Sequence, residues 1–219
     1  MQKHVFFDLD STLSQIEGLD YLATNLGLAP VLAEITRQAM NGEIPMKEAM
    51  TLKLNALKPS HADFVALAQI YLNNLTLGAE TVLNKLKQQG YVTWLISGNF
   101  HPAAGIVAKH LGIAEERVLA NRLMFDRRGE YKNFDSAQPL ANNGGKAILI
   151  QQFTRPGDLI FMVGDGATDL ETQGVVDLFI GFGGVVKRAN IAKNAQIYVE
   201  YPDLTAVLPH ILNYEEGKY

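Results

Sequence analysis

The sequence predicts an α/β protein in which helices cover a parallel sheet and a small helical segment is inserted after the first strand. Apolar runs alternate with amphipathic helical stretches along most of the chain, which is typical of a parallel α/β sheet. About sixty residues near the amino terminus show helical patterns only. The chain has 219 residues, 47% of them hydrophobic, which is enough for one large core with a subdomain.

Five apolar runs are the candidate strands of the main sheet. They cover residues 4–9, 92–96, 159–163, 178–180 and 196–199. The third run lies within DLIFMVG, which is continuously apolar and ends in glycine, as is typical of a strand covered on both faces. A further extended segment, RVLANRLMFDRRGEYKNF, is predicted as a β-hairpin because its two arms flank Arg128-Gly129.

Helical patterns fill the chain between these strands. The stretch AETVLNKLKQQG repeats apolar residues at helical spacing and ends at Gly90, as helices commonly end at a glycine. Between residues 14 and 75 helix-like segments follow one another, separated by prolines. We therefore predict a core formed by residues 1–13 and 76–219 and a helical cap formed by residues 14–75.

Composition excludes several classes of protein. The net charge is −4, and no run of basic residues exceeds Arg127-Arg128, which argues against a nucleic-acid partner. The chain has no cysteine, so thiolate zinc sites and disulfide scaffolds are excluded. No signal-peptide pattern is present, and no apolar segment approaches the roughly 20 residues of a membrane span. We expect a cytoplasmic protein without a membrane partner.

Four polar stretches lie at or beside the ends of predicted strands, where ligands gather in an open α/β sheet. They are DLDST at 8–12, SGN at 97–99, GGK at 144–146 and GDGATD at 164–169. Taken singly, each is compatible with an ordinary turn or the start of a helix. Their joint occurrence in this order, with complementary chemistry, favours a functional site.

The aspartates of the first and last stretches predict a metal site. Asp8, Asp165 and Asp169 would form an oxygen-rich cluster of the kind that Mg²⁺ prefers. The cation would offset the repulsion among the carboxylates. It would also keep Asp8 ionised, because a nearby positive charge lowers the pKa of a carboxyl group.

The same residues predict phosphoryl transfer. An ionised Asp8 can attack phosphorus and form an aspartyl-phosphate. Asp10 follows two residues later, in the turn after the first predicted strand, and we expect its side chain on the same side as that of Asp8, because residues i and i+2 of an extended segment point to one side. We expect it to protonate the leaving oxygen and later to deprotonate water. Ser97 and Lys146 would hold the phosphoryl oxygens.

Together these stretches resemble the four motifs of haloacid-dehalogenase-type phosphatases, and the similarity is greatest to the members that act on phosphoserine. EGLDYLA, ISGNF and FIGFGG strengthen it. The resemblance implies a Rossmann-like, doubly wound core with an inserted cap, Mg²⁺ dependence, and hydrolysis of phosphoserine in serine biosynthesis. It further implies that the metal ligands are Asp8, the backbone carbonyl of Asp10, and Asp165, with Asp169 beside the metal.

The resemblance also implies residues that bind substrate. Glu17 would face the substrate's amino group, since a desolvated ammonium needs a counter-charge. Lys53 occupies the position of an arginine that grips the carboxylate in the family, and Arg37 is the alternative cation. Asn99 stands where a second glycine is usual, so it would crowd the phosphate loop or hold the substrate or the cap. The expected phosphate-binding residues are Ser97, Gly98, Asn99, Lys146 and Thr168.

Because lysine lacks the bidentate fork of arginine, Lys53 leaves other substrates open. The phosphoryl group could pass to an alcohol such as homoserine, or the substrate could be another small phosphorylated metabolite. A third hypothesis, a phosphate-binding protein without catalysis, is disfavoured because Asp8, Asp10 and Lys146 are all present. The sequence is compatible with a monomer or a homodimer.

Overall fold

The structure, a computed structural model, describes residues 1–40 and 43–214. The side chains at positions 37, 39, 40 and 46 lie outside this description. The side chain of Arg37, the alternative cation for a substrate carboxylate, is thus outside the described part of the chain.

Within the described residues, seven strands form one sheet in the order β4-β3-β2-β1-β5-β6-β7. All neighbours are parallel except β3 and β4, which are antiparallel. The sequence's prediction of an α/β fold built on a parallel sheet is thus confirmed. The strands are β1 (Lys3–Phe7), β2 (Val92–His101), β3 (Val118–Phe125), β4 (Tyr131–Phe134), β5 (Leu159–Gly164), β6 (Leu178–Phe182) and β7 (Ile197–Val199).

Ten α-helices are found in the same part of the chain. Four of them follow one another between β1 and α5, in the segment predicted as a cap. Across residues 1–40 and 43–214, none is long and apolar enough to cross a membrane. The helices are α1 (Gly18–Asn25), α2 (Ala29–Met40), α3 (Met46–Leu57), α4 (His61–Asn73), α5 (Ala79–Gln88), α6 (Ala103–His110), α7 (Gly145–Phe153), α8 (Ala167–Leu170), α9 (Ala189–Asn194) and α10 (Leu208–Leu212).

Both faces of the sheet are covered, and the central strand supplies side chains to each. Val5 and Phe7 of β1 belong to the larger apolar cluster, which also includes residues of the helices before α5. Phe6, which points to the opposite face, packs in the second cluster with Trp94 and Ile96. This two-sided burial explains why β1 is apolar without alternation.

The first strand is shorter than the sequence suggested. We expected it to run over residues 4–9, but β1 ends at Phe7 because its register with both neighbours ends there. Leu9–Leu13 then form a wide turn whose backbone is not helical at its centre, where Asp10 has a ψ of 135° and Ser11 a φ of 51°. Asp10 enters the site from this turn, beyond the end of β1.

The predicted hairpin is present, and it extends the main sheet. β3 pairs with β4 in antiparallel fashion, and Gly129 in the connection has a φ of 82°. β3 also pairs with β2 in parallel, which the sequence did not indicate. The hairpin contacts the helical segment, since the backbone N–H of His61 donates to the carbonyl of Gly129 at 2.8 Å.

The chain enters and leaves the helical segment at two neighbouring positions. Ser14 and Leu75 form an isolated antiparallel bridge. On either side of it, the N–H of Gln15 donates to the carbonyl of Asn74 at 2.9 Å, and the N–H of Thr76 donates to that of Leu13 at 3.0 Å. The segment thus leaves and re-enters the sheet region at one place.

Candidate active site

The register of the central strands brings the polar stretches to one edge of the sheet. Phe7, the last residue of β1, pairs with Leu95 of β2 and with Val163 of β5. The residues that follow in each strand therefore lie at the same carboxyl edge. Asp8 continues the pairing by one bond, since its N–H donates to the carbonyl of Val163 at 3.0 Å.

A cleft of about 480 Å³ opens at this edge, between the sheet and the helices that precede α5. Nearly all of the predicted site residues line it. They are Asp8, Asp10, Glu17, Lys53, Ser97, Gly98, Asn99, Lys146, Asp165 and Thr168. The remaining one, Asp169, is fully buried and does not line the cleft, but it contacts Lys146.

Three carboxylates crowd together beneath the cleft. Asp8, Asp165 and Asp169 each offer an oxygen, and these three atoms all lie within 4.8 Å of one another. Burial raises the pKa of Asp8 well above its usual range, although Lys146 opposes this. Burial and the charge of Asp169 raise the pKa of Asp165 to about 7 against the pull of Arg188. A buried, all-oxygen cluster with more negative than positive charge fits a divalent cation such as Mg²⁺.

Lys146 is the cation that contacts this cluster from the core. It is the second residue of α7, and its Nζ lies 2.9 Å from Oδ1 of Asp8 and 2.5 Å from Oδ1 of Asp169. Burial lowers the pKa of Lys146, but the two carboxylates outweigh it and raise the pKa above the ordinary value. The other oxygen of Asp169 accepts a 2.9 Å bond from the N–H of Gly166. Lys146 is therefore held charged between two elements.

An irregularity within β2 carries the residues on which phosphate binding is expected. The pairing of β2 with β3 shifts register between Ser97 and Phe100, which frees Gly98 and Asn99 from the ladder. Asn121 of β3 donates to the carbonyl of Gly98 at 2.9 Å and fixes the loop. The Ser97 hydroxyl accepts a 3.0 Å bond from the N–H of Asn99.

Four groups surround the carboxyl group of Asp10. Its Oδ1 accepts from the N–H of Gly18 at 2.8 Å and from the hydroxyl of Tyr71. Its Oδ2 accepts from Nδ2 of Asn99 at 3.0 Å. Burial and the charge of Glu17 raise the pKa of Asp10 to about 6, while the three hydrogen bonds oppose this.

Of the roles left open for Asn99, the structure favours contact with the cap. Its Nδ2 group donates to Asp10 and to the hydroxyl of Tyr71 on α4. Its Oδ1 accepts from the N–H of Phe100 at 2.8 Å. The residue lines the cleft, but its amide is directed at other side chains, so we do not propose that the amide binds phosphate.

A second ion-pair network lies across the cleft. Arg188 donates through Nη2 to Glu17 at 3.0 Å and through Nε to Asp165 at 2.9 Å. Glu17 also accepts a 2.7 Å bond from the Ser11 hydroxyl. The pKa of Arg188 is raised, because these carboxylates outweigh its partial burial. The carboxylate of Glu17, directly before α1, is thereby linked to the acidic cluster.

Three of these residues were not predicted from the sequence: Tyr71, Asn121 and Arg188. Tyr71 lies on the buried face of α4, where an aromatic residue is indistinguishable from an ordinary core residue. Asn121 lies on β3 and contacts the carbonyl of Gly98, and the pairing of β3 with β2 that brings them together was not predicted. Arg188 follows the GFGG turn after β6, so the rule that ligands gather at strand ends could have found it.

Comparison with known proteins gives consistent results. The family model of haloacid dehalogenase-like hydrolases matches residues 5–172. Phosphoserine phosphatase from Bos taurus is 41% identical over 197 residues, 89% of this chain and 88% of that protein. The Homo sapiens phosphoserine phosphatase is 40% identical with the same coverage. A solved phospho-aspartyl intermediate analogue of phosphoserine phosphatase superposes with a TM-score of 0.80 at 25% identity, covering 95% of this chain and 98% of that one.

Proposed function

This chain belongs to the haloacid dehalogenase-like hydrolase family, and on that premise we propose that it hydrolyses O-phosphoserine to serine and phosphate. It is a phosphoric monoester hydrolase. The observation that carries the proposal is the pairing of Asp8 with Lys146 at 2.9 Å, beside two further aspartates and below a cleft. Relatives that are about 40% identical over most of their length bear the name phosphoserine phosphatase.

The first step forms a bond between Asp8 and phosphorus. A carboxylate oxygen of Asp8 attacks, the bond from phosphorus to the serine oxygen breaks, and that oxygen takes a proton from Asp10. Lys146 holds Asp8 in place and neutralises charge on the phosphoryl oxygens. Ser97 lies within β2, directly before the shift in register, and it lines the cleft, where its hydroxyl can donate to the same oxygens.

The second step releases phosphate. Asp10, now a carboxylate, takes a proton from a water molecule that attacks phosphorus, and the bond to Asp8 breaks. Mg²⁺, when bound by Asp8, the carbonyl of Asp10 and Asp165, would neutralise charge on these carboxylates and on the phosphoryl group. Asp169 would orient this set through Lys146 and Gly166.

Residues on the far side of the cleft would select the amino acid. Glu17 offers the counter-charge for the substrate's ammonium group. Lys53 and Arg188 line the same cleft and supply positive charge for its carboxylate. Arg188 already contacts Glu17 at 3.0 Å. A bound zwitterion would replace this ion pair with two others, one between Glu17 and its ammonium group and one between Arg188 and its carboxylate. We also propose that the helical segment of residues 14–75 is the cap and that the enzyme acts in cytoplasmic serine biosynthesis.

The Asp8→Asn variant tests covalent catalysis. We expect turnover of phosphoserine to fall by at least about three orders of magnitude, because the nucleophile loses its charge with little change in shape. Acid quenching during turnover, followed by peptide mass analysis, should place one phosphoryl group on Asp8 in the unmodified protein. Asp135→Asn, at an exposed turn, is the control and should remain active. Substantial hydrolysis by a clean Asp8→Asn preparation would exclude the mechanism.

A substrate panel separates phosphoserine from the alternatives. The position of Lys53 motivates a second candidate, a phosphatase or phosphotransferase that acts on another small phosphorylated metabolite. Small phosphate esters are assayed with Mg²⁺, with and without alcohol acceptors such as homoserine. A kcat/KM that is highest for phosphoserine supports the proposal, and transfer to an added alcohol would favour the second candidate.

A further inference from the structure

We propose that Tyr71 and Asn99 are positioning residues for Asp10, and that they orient its carboxyl group so that Oδ2 is the oxygen that faces the leaving group. This inference rests on the proposed function, in which Asp10 is the acid and base. It assigns a catalytic consequence to two side chains on different elements, Tyr71 on helix α4 and Asn99 at the irregularity within β2.

The donors around Asp10 are distributed unevenly. Oδ1 accepts from the N–H of Gly18 at 2.8 Å and from the Tyr71 hydroxyl, which together use its two lone-pair sites. Oδ2 accepts from Asn99 at 3.0 Å, and the contact from the same amide to Oδ1 is longer, at 3.4 Å. One acceptor site is therefore left on Oδ2. The proton that Asp10 exchanges with the substrate or water fits there.

The hydrogen bonds around Asp10 are all satisfied by one orientation of the Asn99 side-chain amide. Nδ2 of Asn99 has two protons, and these reach Oδ2 of Asp10 and the hydroxyl oxygen of Tyr71. The Tyr71 hydroxyl then has its own proton for Oδ1 of Asp10. Because Oδ1 of Asn99 accepts from the N–H of Phe100, the amide cannot be flipped without losing that bond. Every donor is thus assigned.

The backbone at Gly18 lies so close to Tyr71 and Asn99 that it leaves no room for a side chain. A Cβ atom on Gly18 would collide with the Tyr71 hydroxyl and come within 2.5 Å of Nδ2 of Asn99. Only glycine lets the N–H of residue 18 approach Asp10 while the tyrosine is in place. Tyr71 itself is fully buried, so its hydroxyl has no access to solvent as an alternative partner.

The test is Tyr71→Phe, which removes the hydroxyl and keeps the ring. Phosphoserine has an alkoxide leaving group that needs a proton, whereas p-nitrophenyl phosphate releases a stable phenolate that needs little help. We expect kcat on phosphoserine to fall about 10- to 100-fold with KM changed less than about threefold, a part of the 10²–10⁴-fold that acid–base catalysis contributes. On p-nitrophenyl phosphate the first step should stay fast, because its leaving group needs no proton from Asp10. The second step should be slow, because Asp10 must still take a proton from water, so p-nitrophenolate should appear in a burst of about one per site.

The control is Tyr91→Phe, which removes another largely buried hydroxyl, one that donates to the carbonyl of Ile211 at 3.2 Å. It should keep both rates and show no burst. If Tyr71→Phe does not fold, as judged by circular dichroism, Asn99→Gly removes the bond to Oδ2 and should give the same burst. Parallel losses on both substrates without a burst, or unchanged kinetics, would overturn the inference.

The two proposals fail in different ways. Unmodified protein that hydrolyses p-nitrophenyl phosphate but not phosphoserine would remove phosphoserine as the substrate, while a burst in Tyr71→Phe would still support the positioning role. Unmodified protein that hydrolyses phosphoserine, with a Tyr71→Phe variant that behaves like it, would remove the positioning role alone. If the unmodified protein hydrolyses neither phosphoserine nor p-nitrophenyl phosphate, both proposals are overturned.

Discussion

At the scale of single residues, the cleft holds its charges in pairs that join distant parts of the chain. Lys146 contacts Asp8 and Asp169, and Arg188 contacts Asp165 and Glu17. The pairs differ in burial: Lys146 is 4% exposed, whereas Arg188 and Glu17 are about 40% exposed. The inner pair therefore depends little on salt, and the outer pair is weak enough for a substrate to replace.

Glu17→Gln probes this outer pair. We expect kcat/KM for phosphoserine to fall about 10- to 100-fold, since a hydrogen bond to a charged group contributes about 1.5–3 kcal/mol. The kcat/KM for p-nitrophenyl phosphate, which has no ammonium group, should stay within about threefold. Glu80→Gln, whose carboxylate contacts the exposed His110, is the matched control and should change neither. Equal losses on both esters would remove Glu17 from substrate selection.

At the scale of elements, helix α4 fixes the helical segment to the sheet. It begins with a capping box in which the Ser60 hydroxyl accepts from the N–H of Asp63 at 3.2 Å, while the N–H of Ser60 donates to Asp63 at 2.7 Å. Phe64 then packs edge-on against Phe100 of β2, with ring centroids 5.7 Å apart. Tyr71, two turns later, contacts Asp10. The capping box at Ser60 thus begins a helix whose contacts extend to Asp10.

Ser60→Ala should lower the free energy of unfolding by about 1 kcal/mol, the usual cost of a lost N-cap. For a chain of this length the melting temperature would fall by about 2–4 °C, measured by circular dichroism. Thr51→Ala is the comparison, because its hydroxyl bonds to the carbonyl of Lys47 within α3 and caps nothing. A melting temperature equal to that of the unmodified protein would show that the capping box is not stabilising.

The same scale separates what the sequence could predict from what it could not. Hydrophobic period and turn residues are local, so they located β5, the hairpin and α5 with only small errors at the ends. The end of β1 depends on pairing with two other strands, and that is why the prediction ran past Phe7. The contact of Tyr71 with Asp10 joins residues 61 positions apart, and no local pattern marks it, whereas the place of Arg188 after β6 was a signal that the rule on strand ends could have used.

At the scale of the whole molecule, the carboxyl edge of the sheet concentrates negative charge. Asp8, Asp165 and Asp169 come from two strand ends and the helix that follows, and their oxygens lie within 4.8 Å of one another. Lys146 and Arg188 contribute two positive charges against these three carboxylates, and burial together with the charge of Asp169 raises the pKa of Asp165 to about 7. A cation that binds the native state alone would relieve this repulsion and stabilise the fold.

We therefore expect Mg²⁺ to raise the melting temperature and a chelator to reverse the change. At a concentration 100 times the dissociation constant, binding adds about 2.7 kcal/mol to the free energy of unfolding, or about 5–11 °C for a chain of this size. Asp165→Asn should abolish the shift in a fluorescence melting assay, and Asp135→Asn should keep it. A full shift in Asp165→Asn would place the cation elsewhere.

The bridge between Ser14 and Leu75 has a consequence for how such a molecule can change over evolutionary time. Because the helical insertion enters and leaves through neighbouring backbone positions, another insertion can replace it without a change in the strand pairing of the sheet. The insertion carries Glu17 together with Gly18 and Tyr71, so on the roles proposed above an exchange would alter ligand preference and proton-transfer geometry in a single event. A transplanted insertion would need a compatible partner at position 99 before it could work.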